Sequence, residues 1–219
     1  MPKKTRTPEE VHEVKQKILN MALELISEDG FDDFSMRKLA ARLHISATSI
    51  YQYFANKDEL YLAVLTRGFE ELYAQMLQAY EASHTPMDRL KNVSRAYIHF
   101  GINEANFYNI MMVWSVPKFY DYVGTAVEPI ALTELNTALQ VWEMTKLVFS
   151  ESGIINEDFL HMKEIAIFQF ACTIHGFVSY SNSKLVEYLL KPRMTEINDE
   201  FTDQFIDMAI CSLEKLFEK

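Results

Sequence analysis

The sequence predicts an all-α protein in which a small N-terminal domain of three helices, residues 1–56, precedes a larger helical domain, residues 57–219. Three observations carry this expectation. Apolar residues recur three and four apart along most of the chain, as they do on one face of a helix. No segment alternates apolar and polar residues as a half-buried strand does, and no internal repeat is present. An apolar content of 49% over 219 residues supplies ample core and argues against general disorder.

The first helix is marked by Val14, Ile18, Met21, Ala22, Leu25 and Ile26 at helical spacing, and Gly30 ends it. The second starts at Ser35, whose hydroxyl can cap a free backbone N–H, and it repeats apolar residues at Met36, Leu39, Ala40 and Leu43. His44 and Ile45 form a turn, and Ser46, another capping residue, opens a third helix over 47–54. Ile50 and Phe54 lie four apart on the side facing Leu39 and Leu43, whereas Thr48 and Gln52 lie roughly opposite. This is the layout of a helix-turn-helix, whose second helix enters the major groove of DNA with its early residues at base edges. The small and polar side chains of Ala47, Thr48 and Ser49 suit that close approach.

Asn56-Lys57-Asp58-Glu59 has the form of a capping box that starts a further helix, with Glu59 reaching back to the Asn56 backbone. Lys57 stands in the first turn, where the helix dipole is already positive. A bound phosphate accounts for it, and a solvated surface lysine is the alternative. Two readings also stand open for Tyr51 and Tyr53, which suit either core packing or backbone contacts to a nucleic acid.

The Ile18/Ala22/Leu25 helix ending in Glu28-Asp29-Gly30-Phe31, the Ser35-Met36-Arg37-Lys38-Leu39-Ala40 helix and the run Ile50-Tyr51-x-Tyr53-Phe54-x-Asn56-Lys57-x-x-Leu60 together resemble the DNA-binding domain of the TetR family of transcriptional repressors. The resemblance covers roughly residues 18–65. It implies phosphate contacts from Ser35, Thr48, Tyr51, Tyr53 and Lys57, and places Arg37, Ala47, Thr48, Ser49 and Gln52 near base edges. Two positions depart from the family pattern. His44 stands where glycine is common in the turn, a site of positive φ that histidine tolerates better than most residues. Met36 stands where threonine is frequent, which removes one phosphate contact.

The net charge of −10 sits mostly outside this head: residues 1–66 hold nine Lys/Arg against ten Asp/Glu. Lys3, Lys4 and Arg6 form a basic arm before Pro8, readable as a solubilising tail or as a phosphate or minor-groove contact. Arg37, Lys38, Arg42 and Lys57 surround the motif. So modest a positive charge implies salt-sensitive affinity, and two heads acting together would matter.

Beyond the head, a long helix is expected from Lys57 to Glu81, broken by His84-Thr85-Pro86. Further helices are expected over 88–101, 103–112, 118–124, 128–152, 157–190 and 199–217, with Lys191-Pro192-Arg193 as a stop. Residues 165–183 carry no Asp, Glu, Lys or Arg, yet Gln169, Thr173, His175, Ser179, Ser181 and Asn182 make them too polar for a confident membrane span. Nineteen uncharged residues in one helix need cover on two sides, one from the body and one from a second copy, so a homodimer through the last two long helices is expected. Gly176 within that helix suits a close helix crossing. The family resemblance implies the same homodimer, and His175-Gly176-Phe177 resembles a His-Gly signature in one branch of TetR-like C-terminal domains.

The middle of the chain is rich in aromatic residues and methionine, which form core and also line apolar ligand sites. Candidate contacts to a small apolar or aromatic molecule are Tyr97, Phe107, Met111 and Trp114, together with Trp142, Phe168, Cys172 and His175. His161 and Cys172 lie about 16 Å apart along a helix, too far for one metal ion. Cys172 and Cys211 form no metal-spaced cluster and are expected as reduced, buried thiols. No phosphate-binding glycine loop, nucleophile elbow or zinc-protease motif is present, so the chain reads as neither an enzyme nor a holder of cofactor or metal. No signal-peptide pattern is present, and a cytoplasmic location is expected. The reading is of a DNA-binding regulator, a repressor released from its operator by a small ligand. A helical carrier of hydrophobic molecules and a protein-interaction module are the alternatives, and the polar outer face of 47–54 favours the DNA reader over both.

Overall fold

A computed structural model describes residues 6–155, 157–183, 185–190 and 197–217, so Lys3, Lys4 and the Lys191-Pro192-Arg193 stop lie outside the described residues. The described residues are helical and contain no strand. They divide into two compact units: residues up to Gly68 with Asn109–Asn136, and Phe69–Tyr108 with the residues from Thr137 on.

The first unit opens with α1 (Pro8–Asp29), which the Thr7 hydroxyl and the Glu10 carboxylate cap reciprocally and which Gly30 ends at φ 82°. In α2 (Met36–Arg42) the Ser35 hydroxyl accepts from the Lys38 N–H at 3.3 Å, and in α3 (Ala47–Tyr51) Ser46 does the same for Ser49 at 3.1 Å. Helices this short do not persist alone; Leu39, Ala40, Ile50 and Phe54, all buried, hold them against Ile18, Ala22 and Ile26. His44 adopts φ 55° in the turn, the left-handed geometry that its place in the motif anticipates. Met36 is buried in the same core. The third helix is shorter than the expected 47–54, because the N–H groups of Tyr53 and Phe54 both turn back onto the Ile50 carbonyl.

The helix α4 (Lys57–Glu81) starts at Asn56, whose side chain accepts from the Glu59 N–H at 2.8 Å. Glu59 reaches back to the Ala55 N–H at 2.6 Å, one residue earlier than the expected box. Residues 109–136 complete this unit. They comprise a π-type turn at Asn109–Val113, a 3₁₀ turn at Phe119–Tyr122 and the first turns of α7 (Glu128–Glu151). Tyr61 donates to the Pro117 carbonyl at 3.1 Å and Tyr122 to Asp58 at 3.3 Å, which fastens the segment to the start of α4.

In the second unit, α5 (Pro86–Asn103) packs on α8 (Lys163–Asn182) and α10 (Asp199–Phe217), and these two pack on each other. Their core holds Leu90, Ile98, Ile167, Ile174, Ile206 and Ile210. The helix expected over 103–112 is instead α6 (Ala105–Tyr108) followed by the π-type turn, because Glu104 leaves helical geometry at φ −110° and ψ 47°. The single helix expected over 157–190 is a 3₁₀ turn (Glu157–Met162), α8 and α9 (Leu185–Leu190). At that break the Ser183 hydroxyl donates to the Tyr180 carbonyl at 2.7 Å and Asn182 donates to the Gly101 carbonyl at 2.9 Å, side-chain bonds that compete with helix continuation. Cys172 and Cys211 are exposed, which corrects the expectation of buried thiols: they fall on the outer faces of α8 and α10. No helix among the described residues is long and apolar enough to cross a membrane.

Candidate nucleic-acid interface

The nine residues that the motif picks out all fall on α2, α3, their flanks or the first residue of α4. Arg37, Thr48, Tyr51 and Gln52 are exposed, while Ser35, Ala47, Ser49, Tyr53 and Lys57 are partly buried. Tyr51 is 51% exposed, so of its two readings core packing is excluded. Ser35 faces inward as a helix cap, and the Ser49 hydroxyl shares a 2.8 Å bond with Ser46. Thr48, Tyr51 and, at the end of the helix, Gln52 are therefore left to project outward.

The cations divide into committed and available groups. Lys38 pairs with Asp29 at 2.9 Å and Arg42 with Glu28 at 2.6 Å, which ties α2 back to the end of α1. The hydrogen bond to Asp29 holds the Lys38 ammonium above its ordinary range. Both pairs are exposed, where water and salt screen them and leave them little weight in stability. Among the described residues Arg37 forms no ion pair. Arg6 donates to the Tyr53 hydroxyl, its guanidinium 5.9 Å from that ring's centre, which places this one residue of the basic arm beside the residues that follow α3. Lys57 sits 4.2 Å above the Phe31 ring and reaches the Asp32 carbonyl at 3.4 Å, which holds its charge at the N-terminus of α4.

The eight candidate ligand residues are divided between the two units. Met111 and Trp114 belong to the first unit and the other six to the second. Within the second unit the structure joins Tyr97 to His175 through Tyr108, which the sequence reading passed over in favour of its neighbour Phe107. The Tyr108 hydroxyl lies 2.5 Å from His175 Nδ1 and 3.3 Å from the Tyr97 hydroxyl. Burial pushes the Tyr97 phenol up to about 12 and holds the His175 imidazole below its usual range, which favours its neutral form. Phe107 is buried in α6, and Trp142 is half-buried on α7. Phe168 and Cys172 stand on the exposed face of α8, apart from this cluster.

Two further residues carried a signal that sequence reasoning missed. Val127, Ala131, Val141, Met144 and Val148 form the buried stripe of α7 and the residue before it, and Glu134 falls on that stripe. Lys118, opposite in charge, donates to the carbonyls of Ile110 and Met111. Among the described residues no group of three or more His, Cys, Asp or Glu is placed to hold a metal ion.

Residues 18–64 match the family described as bacterial regulatory proteins, tetR family. The HTH-type transcriptional repressor KstR of Mycolicibacterium smegmatis is 33% identical over 78 residues, 36% of this chain and 38% of that protein. The HTH-type transcriptional activator FasR of the same species is 29% identical over 99 residues, 45% of each chain. The chain thus spans less than half the length of these two curated relatives. A bacterial regulatory protein in the tetR family from Rhodococcus RHA1 has a similar structure, with a TM-score of 0.65 at 15% identity over 91% of this chain and 96% of the other. At that identity the likeness establishes a shared fold.

Proposed function

We propose that this chain, whose residues 18–64 match the tetR family of bacterial regulatory proteins, is a DNA-binding transcriptional regulator, a homodimeric repressor released from its operator by a small apolar or aromatic ligand. The observation that carries the reading is the outward face of α3 and its flank: Thr48, Tyr51 and Gln52 are exposed and polar, beside an exposed Arg37. A helical carrier has no use for such a face.

Ile165 and Phe168 of α8 are 65% and 63% exposed, and Met208 of α10 is 71% exposed. A Cβ built on Gly176 would meet nothing within 4 Å, so that stretch of α8 is open to a partner helix. These exposed apolar side chains support a homodimer formed by two-fold pairing of the two faces. Two heads about one turn of DNA apart, roughly 34–36 Å, then grip successive major grooves. A ligand that favours the unbound arrangement 100-fold supplies about 2.7 kcal/mol to displace them.

Selection of bound DNA from a random pool tests the reading, with a two-fold symmetric site as the expected product. Recovery of no preferred sequence would refute it. Lys57→Ala should weaken all sequences alike and lower the salt slope by about one charge per head, whereas Gln52→Ala and Arg37→Ala should change the sequence preferred.

A further inference from the structure

The Tyr53 hydroxyl, to which the family resemblance assigns a phosphate, is met by a guanidinium of the protein itself. Arg6 donates to it across 47 positions of chain, with the guanidinium carbon 5.9 Å from the ring centre. The backbone beside Arg6 is fixed as well. The Thr7 hydroxyl accepts from the Glu10 N–H at 3.2 Å, and the Glu10 carboxylate accepts from the Thr7 N–H at 2.8 Å. That cap occupies one of the two acids nearest to Arg6 in sequence, and among the described residues neither Glu9 nor Glu10 forms an ion pair with Arg6. Lys15 of α1 lies 5.9 Å from the centre of the Phe54 ring and likewise forms no ion pair among the described residues. Two cations without acid partners thus stand at Tyr53 and Phe54, the residues that follow α3, whereas Lys38 and Arg42 of α2 are neutralised by Asp29 and Glu28.

We infer that Tyr53 is a positioning residue: it holds the Arg6 guanidinium at the end of the reading helix for a backbone phosphate of DNA, and is not itself the phosphate contact. A guanidinium that spends one N–H on a phenol keeps the rest of its planar fork for a phosphate, which arginine binds in bidentate fashion. Arg6 is exposed, so those donors are open to a partner. A long side chain otherwise free to sample many rotamers is ordered in advance by the phenol, which lowers the entropic cost of closing on the phosphate. The inference rests on the reading of the chain as a DNA-binding regulator. It brings Arg6 into the interface and moves Tyr53 one step back from it.

Neutral and cationic phosphate contacts differ in their salt dependence. A cation that neutralises a phosphate releases counterions and steepens the fall of affinity with salt, and a neutral phenol does not. The test measures affinity of the full chain from low to physiological salt on the selected site and on a duplex of arbitrary sequence, for Arg6→Ala, Tyr53→Phe and the double variant. Tyr53→Phe keeps the ring and removes only the hydroxyl. It should nevertheless lower the salt slope about as much as Arg6→Ala, up to roughly one charge per head, and weaken binding about threefold or more at physiological salt. The double variant should lose no more than Arg6→Ala alone. Arg6 lies outside every helix, so Arg6→Ala remains informative if Tyr53→Phe costs stability, and thermal unfolding of each variant separates the two effects. The inference is overturned if either variant leaves the salt slope unchanged, as Tyr53→Phe would for a direct phenol contact, or if the two losses add. Failure to select a site, with the slopes on the arbitrary duplex as expected, would refute the regulator reading alone, and binding of neither duplex would refute both.

Discussion

The α2/α3 surface and the outer faces of α8 and α10 are both open to solvent, and they are dressed in opposite ways. Around α3 the exposed side chains are Thr48, Tyr51 and Gln52, with Arg37 close by in the chain fold, and the short helices are held by serine caps and a small shared core. On α8 and α10 the exposed side chains include Ile165, Phe168, Tyr180, Met208 and Leu216. A polar surface is stable in water until a partner arrives. An apolar one of that extent calls for cover, which is why one surface suits reversible contact with a charged polymer and the other a lasting contact with a second copy.

The contrast can be broken first at the apolar faces. Phe168→Glu combined with Met208→Glu should convert the proposed dimer to monomer by analytical ultracentrifugation and lower operator affinity by about 100-fold or more, since each head then binds alone. If affinity falls with the dimer intact, the faces serve something else. Gly101→Ala addresses the interior of the same unit: its Cβ would come within 2.4 Å of a Val178 methyl and 2.9 Å of the Tyr108 ring. A loss of about 1–3 kcal/mol in urea unfolding is expected, and an unchanged midpoint would show that α5 and α8 can separate freely. Ser46→Ala removes the α3 cap and should cost about 1 kcal/mol, with DNA affinity falling alongside stability. His44→Gly should change least, relieving the positive φ for a gain below about 1 kcal/mol in thermal unfolding. A destabilisation there would mean that the imidazole makes a contact the turn depends on.

How much of this was legible in the sequence follows the same division. The head is built from local signals, capping serines at 35 and 46, apolar spacing at 39, 50 and 54, and a turn residue at 44, so its elements and outward residues could be read one by one. Its deviations are small and local, such as Tyr53 and Phe54 turning back on Ile50. The last helix, Asp199–Phe217, was equally plain because its stripe is regular. The helix expected over 157–190 failed at residues where Ser183 and Asn182 bind backbone carbonyls, one of them on the distant Gly101, and no window of sequence contains that partner. The ligand residues were the least legible. Aromatic and methionine content says that a core exists but not which rings meet, and Tyr108 joins Tyr97 to His175 only through the close approach that Gly101 permits. Glu134 could have been found, because a lone acid on an apolar stripe is visible as a break in period.

The ion pairs that bind Lys38 to Asp29 and Arg42 to Glu28 bear on how such a head would travel a chromosome. Attraction to arbitrary DNA grows with the number of phosphates a protein can neutralise, and two of the cations flanking the motif are already neutralised by their own acids. As the proposed regulator, it would linger briefly on random sequence and relocate mostly through solution rather than by long excursions along the duplex. Few copies would then be sequestered away from the operator, and a small pool of molecules could keep it occupied.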